Sequence, residues 1–150
     1  MLFVGGGGGH QHARVKKAKT KMASRAVNIK FLCAARADDA VLVASLCDCS
    51  NADADEFTNS IKDVLRAKHF GAAQRLRLLA QSNAFNIASD GEGRVFVAIT
   101  TSEYPERVAF NFLKEVREGF SAASGNRFND AEEGALSKNF EPLMRRLVNE

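Results

Sequence analysis

Two apolar runs stand close together near the start of the chain. Val27-Asn28-Ile29-Lys30-Phe31-Leu32-Cys33-Ala34-Ala35 is followed, after the turn signal Asp38-Asp39, by Val41-Leu42-Val43-Ala44-Ser45-Leu46-Cys47. Both runs are β-branched and apolar at nearly every position rather than at every second one. Each is too short for a core helix and reads as a strand. A strand without alternation has no solvated face, so the sheet it enters must be covered on both sides. The short connection makes the pair an antiparallel hairpin. Layered folds with helices on both sheet faces satisfy this demand; an open half-exposed sheet does not.

The helices that could supply the cover are legible. Asn51 to Asp55 is polar and can cap a helix, and Phe57, Ile61, Val64, Leu65 and Lys68 follow at helical spacing with charges opposite. Gly71 is expected to end that helix. Three strands come next: Arg75-Leu76-Arg77-Leu78-Leu79-Ala80, which begins with the basic–apolar alternation of an edge strand, then Ala84 to Ala88, then Arg94 to Thr100. Gly91 and Gly93 between the last two are turn glycines rather than a ligand loop. The stretch Glu106 to Phe120 carries Val108, Ala109, Phe112, Leu113, Val116 and Phe120 on one face, widened by Phe110. An apolar face this wide suits a helix lying across several strands, whereas a single partner helix needs only a narrow seam. Ser102 is expected to cap this helix, with Pro105 in its first turn. Ser124-Gly125-Asn126 stops it. After a polar connection, Phe140, Leu143, Met144, Leu147 and Val148 form a last stripe, and Pro142 places its cap near Asn139. The order β-β-α-β-β-β-α-α, with both faces needing cover, predicts an α/β (α+β) three-layer sandwich on a five-stranded sheet, one helix on one face and two on the other.

Charge separates the chain into two parts. The net charge is +3 overall. Arg14, Lys16, Lys17, Lys19 and Lys21 all lie in the first 21 residues, which hold no acid, and the remainder has 16 basic against 18 acidic residues. The basicity belongs to the Gly-rich segment around Gly5 to Lys21, whose glycines carry a high ordering entropy with little apolar burial to offset it. The segment fits no phosphate-cradling pattern. Met22-Ala23-Ser24 reads as a start, so residues 1–21 are expected to be an upstream extension or a cloning artefact. The expected division is 1–26 as an N-terminal extension and 27–150 as one folded domain. That domain has no basic stripe of the kind nucleic acid selects, and no apolar run is long enough to span a membrane.

Nothing points to catalysis. His69 is the only histidine outside the tail and is placed at a helix end. Asp38-Asp39, Asp53/Asp55 and Glu132-Glu133 read as turns and caps, and no nucleophile motif recurs. Cys33, Cys47 and Cys49 lack disulfide-framework spacing and are expected to be reduced, small apolar core residues. Cys47-x-Cys49 with one distant histidine is a poor zinc set. No catalytic residue, metal or cofactor is therefore expected.

A resemblance carries the reading further. Cys33-Ala34-Ala35-Arg36 closing the first strand, Val97-Ala98-Ile99-Thr100, Tyr104 ahead of Glu106-Arg107, Ala109-Phe110-Asn111-Phe112-Leu113, Glu115-Val116, Phe120, and Asn139-Phe140 entering a last helix together resemble the longin domain. The likeness spans Val27 to Val148 and is strongest to the N-terminal domain of longin-type vesicle SNAREs, the vesicle-associated membrane protein or synaptobrevin-like group. It implies a non-catalytic regulatory domain in vesicle-mediated transport and membrane fusion. Such a domain folds back on its own SNARE helix, meets SNARE partners and sorting adaptors, and works at the cytoplasmic face of endomembranes or transport vesicles. Family members continue into a SNARE helix and a C-terminal membrane anchor, and this chain ends at Glu150 ahead of both. The isolated domain is expected to be a monomer with no nucleic-acid partner. An amphipathic helix needs an apolar groove. The expected one lies between Phe57, Ile61, Val64 and Leu65 on the helix and Leu76 and Leu78 on the edge strand, where the family's groove strand is also apolar, although part of the helical stripe must be core. The alternative is a longin-fold coat-adaptor or tethering-complex subunit without a SNARE helix. The reading frame beyond Glu150 separates the two: heptads with a central Arg favour the SNARE, and a stop codon favours the subunit.

Overall fold

The structure, a computed structural model, describes residues 24–150. The basic Gly-rich segment lies outside the described residues. Five strands, β1 (Ile29–Arg36), β2 (Leu42–Cys47), β3 (Ala73–Ala80), β4 (Asn83–Asp90) and β5 (Arg94–Thr101), form one antiparallel sheet in the order β2-β1-β5-β4-β3. The helices are α1 (Arg25–Asn28), α2 (Asn51–Ala67), α3 (Glu106–Ser124), α4 (Arg127–Asp130) and α5 (Ser137–Asn149).

The central strands β1 and β5 bury almost every residue, as unalternating apolar strands must when both faces are covered. Two hydrophobic clusters lie on opposite faces of the sheet. On one, α2 packs Phe57, Ile61 and Leu65 against Phe31, Phe85, Ile87 and Ile99. On the other, α3 and α5 pack Phe112, Leu113, Val116, Phe120, Phe140 and Met144 against Leu32, Phe96 and Ala98. The wide face of α3 is explained there: Phe120 lies edge-on to Phe96 at 5.9 Å between centroids and stacks on Phe140 of α5 at 4.2 Å. One helical face thus serves the sheet and a neighbouring helix together.

Several local expectations are corrected. The first strand starts at Ile29, because Arg25–Asn28 forms a helical turn that leaves Val27 64% exposed. The Arg25 guanidinium donates to Glu115 and to the Leu147 carbonyl and lies 5.0 Å from the Phe112 ring centroid, which ties this turn to α3 and α5. Helix α2 ends at Ala67, with Lys68 exposed beyond it, before Gly71 is reached; Phe70, drawn into the core, redirects the chain first. Ser102 does not cap α3. The N-cap is Pro105, whose fixed φ already fits a helix entrance. Helix α5 begins at Ser137, so Pro142 is its sixth residue and lies past the first turn. Burial of Phe140, Met144 and Leu147 outweighs the backbone bond that Pro142 forgoes. The polar connection after α3 contains the short α4, whose Phe128 is fully buried beside Phe96. Cys33 is a buried free thiol as expected, but Cys47 and Cys49 are half-buried and joined as a disulfide. The chain turns at Asp48 as it leaves β2 and brings their Cα atoms to 5.3 Å, inside the span a disulfide bridges.

Candidate functional site: the open edge along strand β3

The two outer strands differ. The free side of β2 is closed by the chain leading into α5. The Gly134 and Leu136 N–H groups donate to the Leu42 and Val43 carbonyls at 2.8 Å. The Leu42 N–H donates to Glu133 Oε1 at 3.1 Å, and the Ser45 N–H donates to Ser137 Oγ at 2.9 Å. Strand β3 ends the sheet on the other side, and no strand among the described residues pairs with its outer edge. Its residues are exposed or half-buried throughout. An unpaired edge is a template for association.

The alternation in β3 distributes two chemistries. Leu76 and Leu78 pack into the α2-side cluster. Arg75 and Arg77 turn to the α3 side, where the Arg75 guanidinium lies 5.5 Å from the Phe110 ring centroid. Arg77 donates to Asn86 Oδ1 at 2.7 Å and to the Ser102 and Tyr104 carbonyls at 3.0 and 2.9 Å. Asn86 is fully buried, and its amide donates onward to the Ala98 carbonyl at 3.0 Å and to Thr100 Oγ1 at 3.1 Å. This network fixes the open strand to β4, β5 and the entrance of α3. Sequence reasoning missed it. The available signal was Asn86, a polar residue flanked by Ala84-Phe85 and Ile87-Ala88, since a buried amide must find partners.

On the α2 face, local sequence positions the helix. Ser50 caps α2, its Oγ accepting from the Asp53 N–H at 3.1 Å. The apolar stripe then faces the sheet. All six residues expected to form the groove fall in or against one cluster, but they divide by exposure. Phe57, Ile61 and Leu65 are buried core, with Phe57 at 6.0 Å from Phe31 and 6.3 Å from Phe85 between ring centroids. Val64, Leu76 and Leu78 are half-buried. The accessible apolar rim is therefore Val64 with Leu76 and Leu78, and the other three residues are the floor beneath it.

A separate polar cleft of about 570 Å³ opens where the β1–β2 turn, the end of α2 and the β4–β5 turn meet. Asp38, Arg66, Lys68, His69 and Glu92 line it. These side chains are exposed and carry both signs of charge. The His69 carbonyl accepts from Gln74 Nε2 at 2.7 Å. Among the described residues no group of three or more metal-ligating side chains converges, and no helix is long and apolar enough to cross a membrane.

A five-stranded antiparallel sheet with one long helix on one face, two on the other and, among the described residues, one open edge defines a three-layer α/β domain. Residues 42–144, more than half of the chain, match the family model described as "Longin: Regulated-SNARE-like domain". The chain belongs to the longin family. No curated protein matches it. Membership of this family implies a regulatory role in membrane trafficking.

Proposed function

We propose that this domain is the regulatory N-terminal domain of a vesicle SNARE, and that the rim between α2 and β3 receives its SNARE helix. What supports this reading is the asymmetry of the sheet. The β2 edge is sealed by backbone hydrogen bonds, whereas the β3 edge keeps a half-exposed apolar row beside a capped amphipathic helix. An amphipathic helix laid on Val64, Leu76 and Leu78 buries its own apolar face there and is withheld from SNARE partners until released. The same surface, once vacated, is available to a sorting adaptor. On this reading the domain works at the cytoplasmic face of transport vesicles or endomembranes, without catalysis.

The test is the double variant Leu76→Ser, Leu78→Ser, titrated with a separately produced SNARE segment of the same protein. Each half-buried leucine contributes about 1 kcal/mol to such a contact. Together they predict roughly 30-fold weaker binding. A double variant that retains the wild-type circular dichroism and binds with unchanged affinity eliminates the groove.

A further inference from the structure

The opposite side of the same edge strand holds a second recess, of about 500 Å³, between β3, β4 and α3. This volume lies in the range of ligand clefts, roughly 300–1,000 Å³. Its base includes Phe96, Phe110 and Leu113, and three cations surround it: Arg75 from the strand, and Lys114 and Arg117 one helical turn apart on α3. No carboxylate lines it.

The three cations share one recess, and like seven other cations of the domain they have no ion-pair partner among the described residues. Arg25, Arg36, Lys62, Arg94, Arg145 and Arg146 each face an acidic side chain within 4 Å. Arg75, Lys114 and Arg117 form no ion pair among the described residues. Three like charges held at one recess without a counter-ion repel one another, and a ligand bearing negative charge relieves that repulsion. Arg75 also spans the recess and the open backbone edge, since it is a β3 residue whose guanidinium reaches over Phe110.

We propose that this recess docks an extended acidic segment of a partner protein, which pairs its backbone with the open edge of β3 and sets carboxylates against Arg75, Lys114 and Arg117. Two observations favour a peptide over an anionic membrane. The cations lie beside unpaired strand backbone, which an extended chain satisfies and a lipid headgroup does not. Beyond residue 21 the chain carries 16 basic against 18 acidic residues, so no broad positive field draws the domain to an anionic bilayer. In a strand, alternate residues share a face, so a peptide alternating acidic and apolar residues presents all its carboxylates to one side. The recess is on the face opposite the α2–β3 rim, and the proposal stands whether or not that rim receives a SNARE helix.

The probe is a fluorescein-labelled peptide of about ten residues alternating Glu and Val, with a Lys–Val peptide as control, followed by anisotropy at low and at physiological ionic strength. The acidic peptide is expected to bind, more weakly as salt rises, and to shift backbone amide resonances of residues 73–75 and 114–117. The variant Lys114→Glu, Arg117→Glu is expected to lose at least about tenfold in affinity, and the Leu76→Ser, Leu78→Ser variant to lose none. Should charge reversal unfold the domain, Lys114→Gln, Arg117→Gln replaces it with the same expectation. Absence of peptide binding, equal binding of the Lys–Val control, an unchanged affinity in the Lys114/Arg117 variant, or resonance shifts elsewhere overturns the proposal. So does Lys114- and Arg117-dependent binding to vesicles of phosphatidylcholine with phosphatidylserine when the peptide does not bind, which would assign the recess to lipid.

Discussion

Replacing Arg77 by Met tests whether the Arg77–Asn86 network helps hold the open edge in place. Met keeps much of the aliphatic stem and removes three hydrogen bonds, those to Asn86 Oδ1 and to the Ser102 and Tyr104 carbonyls. Hydrogen bonds from a charged donor contribute about 1.5–3 kcal/mol each, less where the stranded acceptor can turn to water. Ser102 is half-exposed and its carbonyl can do so in part. Asn86 is 0% exposed, and its side-chain oxygen is left bare at a cost of about 1–3 kcal/mol. The expected loss is about 2–4 kcal/mol, a large share of the roughly 5–15 kcal/mol that stabilises a domain. Urea unfolding measures it, and native-state hydrogen exchange locates it: β3 amides should lose protection before those of β1 and β5. The double variant Arg77→Met, Asn86→Leu leaves no bare side-chain oxygen, so it should be more stable than additivity predicts by about 1 kcal/mol or more. A single variant within about 0.5 kcal/mol of wild type, with β3 protection unchanged, would mean that the guanidinium is no more than a solvated surface charge and that the anchor argument is wrong.

Two further outcomes follow from the packing and the charges. Phe120→Leu and Phe140→Leu each keep most of the buried volume and should cost up to about 1.5 kcal/mol. Their double-mutant cycle should show a coupling of about 0.5–1.5 kcal/mol from the 4.2 Å stacked pair, measured by urea unfolding, and additive costs would remove the stack as the link between α3 and α5. The Asp39 carboxyl is held below its ordinary range chiefly by hydrogen bonds from Arg36, so its contribution to stability is present above about pH 4 and fades as pH falls through the depressed value. Because the Asp39 side chain is half-exposed, Asp39→Asn should cost less than about 1 kcal/mol at pH 7, and the gap from wild type should close on acidification; a gap that widens in acid contradicts that sign.

The layers were legible because they follow from apolar pattern alone. Unalternating strands at Ile29–Arg36 and Arg94–Thr101 require cover on both faces, and the stripes of α2, α3 and α5 provide it. The points that were not legible are those where tertiary contact overrides local preference. Pro142 inside α5 reads as a first-turn residue until Phe140, Met144 and Leu147 are seen to be buried around it. Val27 reads as strand, yet the bonds of Arg25 to Glu115 and Leu147, about 90 or more positions away, hold that stretch as a helical turn. The disulfide between Cys47 and Cys49 depends on how the chain bends at Asp48, which spacing does not encode. At the candidate site the helical stripe was recognisable, but its division into floor and rim was not. Phe57, Ile61 and Leu65 lie on the same helical face as Val64, and only the position of β3 decides which of them it leaves uncovered.

Strand β3 then unites the site. Its alternation gives Leu76 and Leu78 to one face and Arg75 and Arg77 to the other, so a single exposed strand borders an apolar rim and a cationic recess. The two surfaces select different partners, because burial of apolar area is insensitive to salt whereas three unpaired cations act through a screened field. They also share one mechanical support. Arg77, through Asn86 and the carbonyls at the entrance of α3, fixes the strand that both surfaces need. A ligand that orders β3 from either side reduces the ordering cost for a ligand on the other, which is positive coupling without any change of fold.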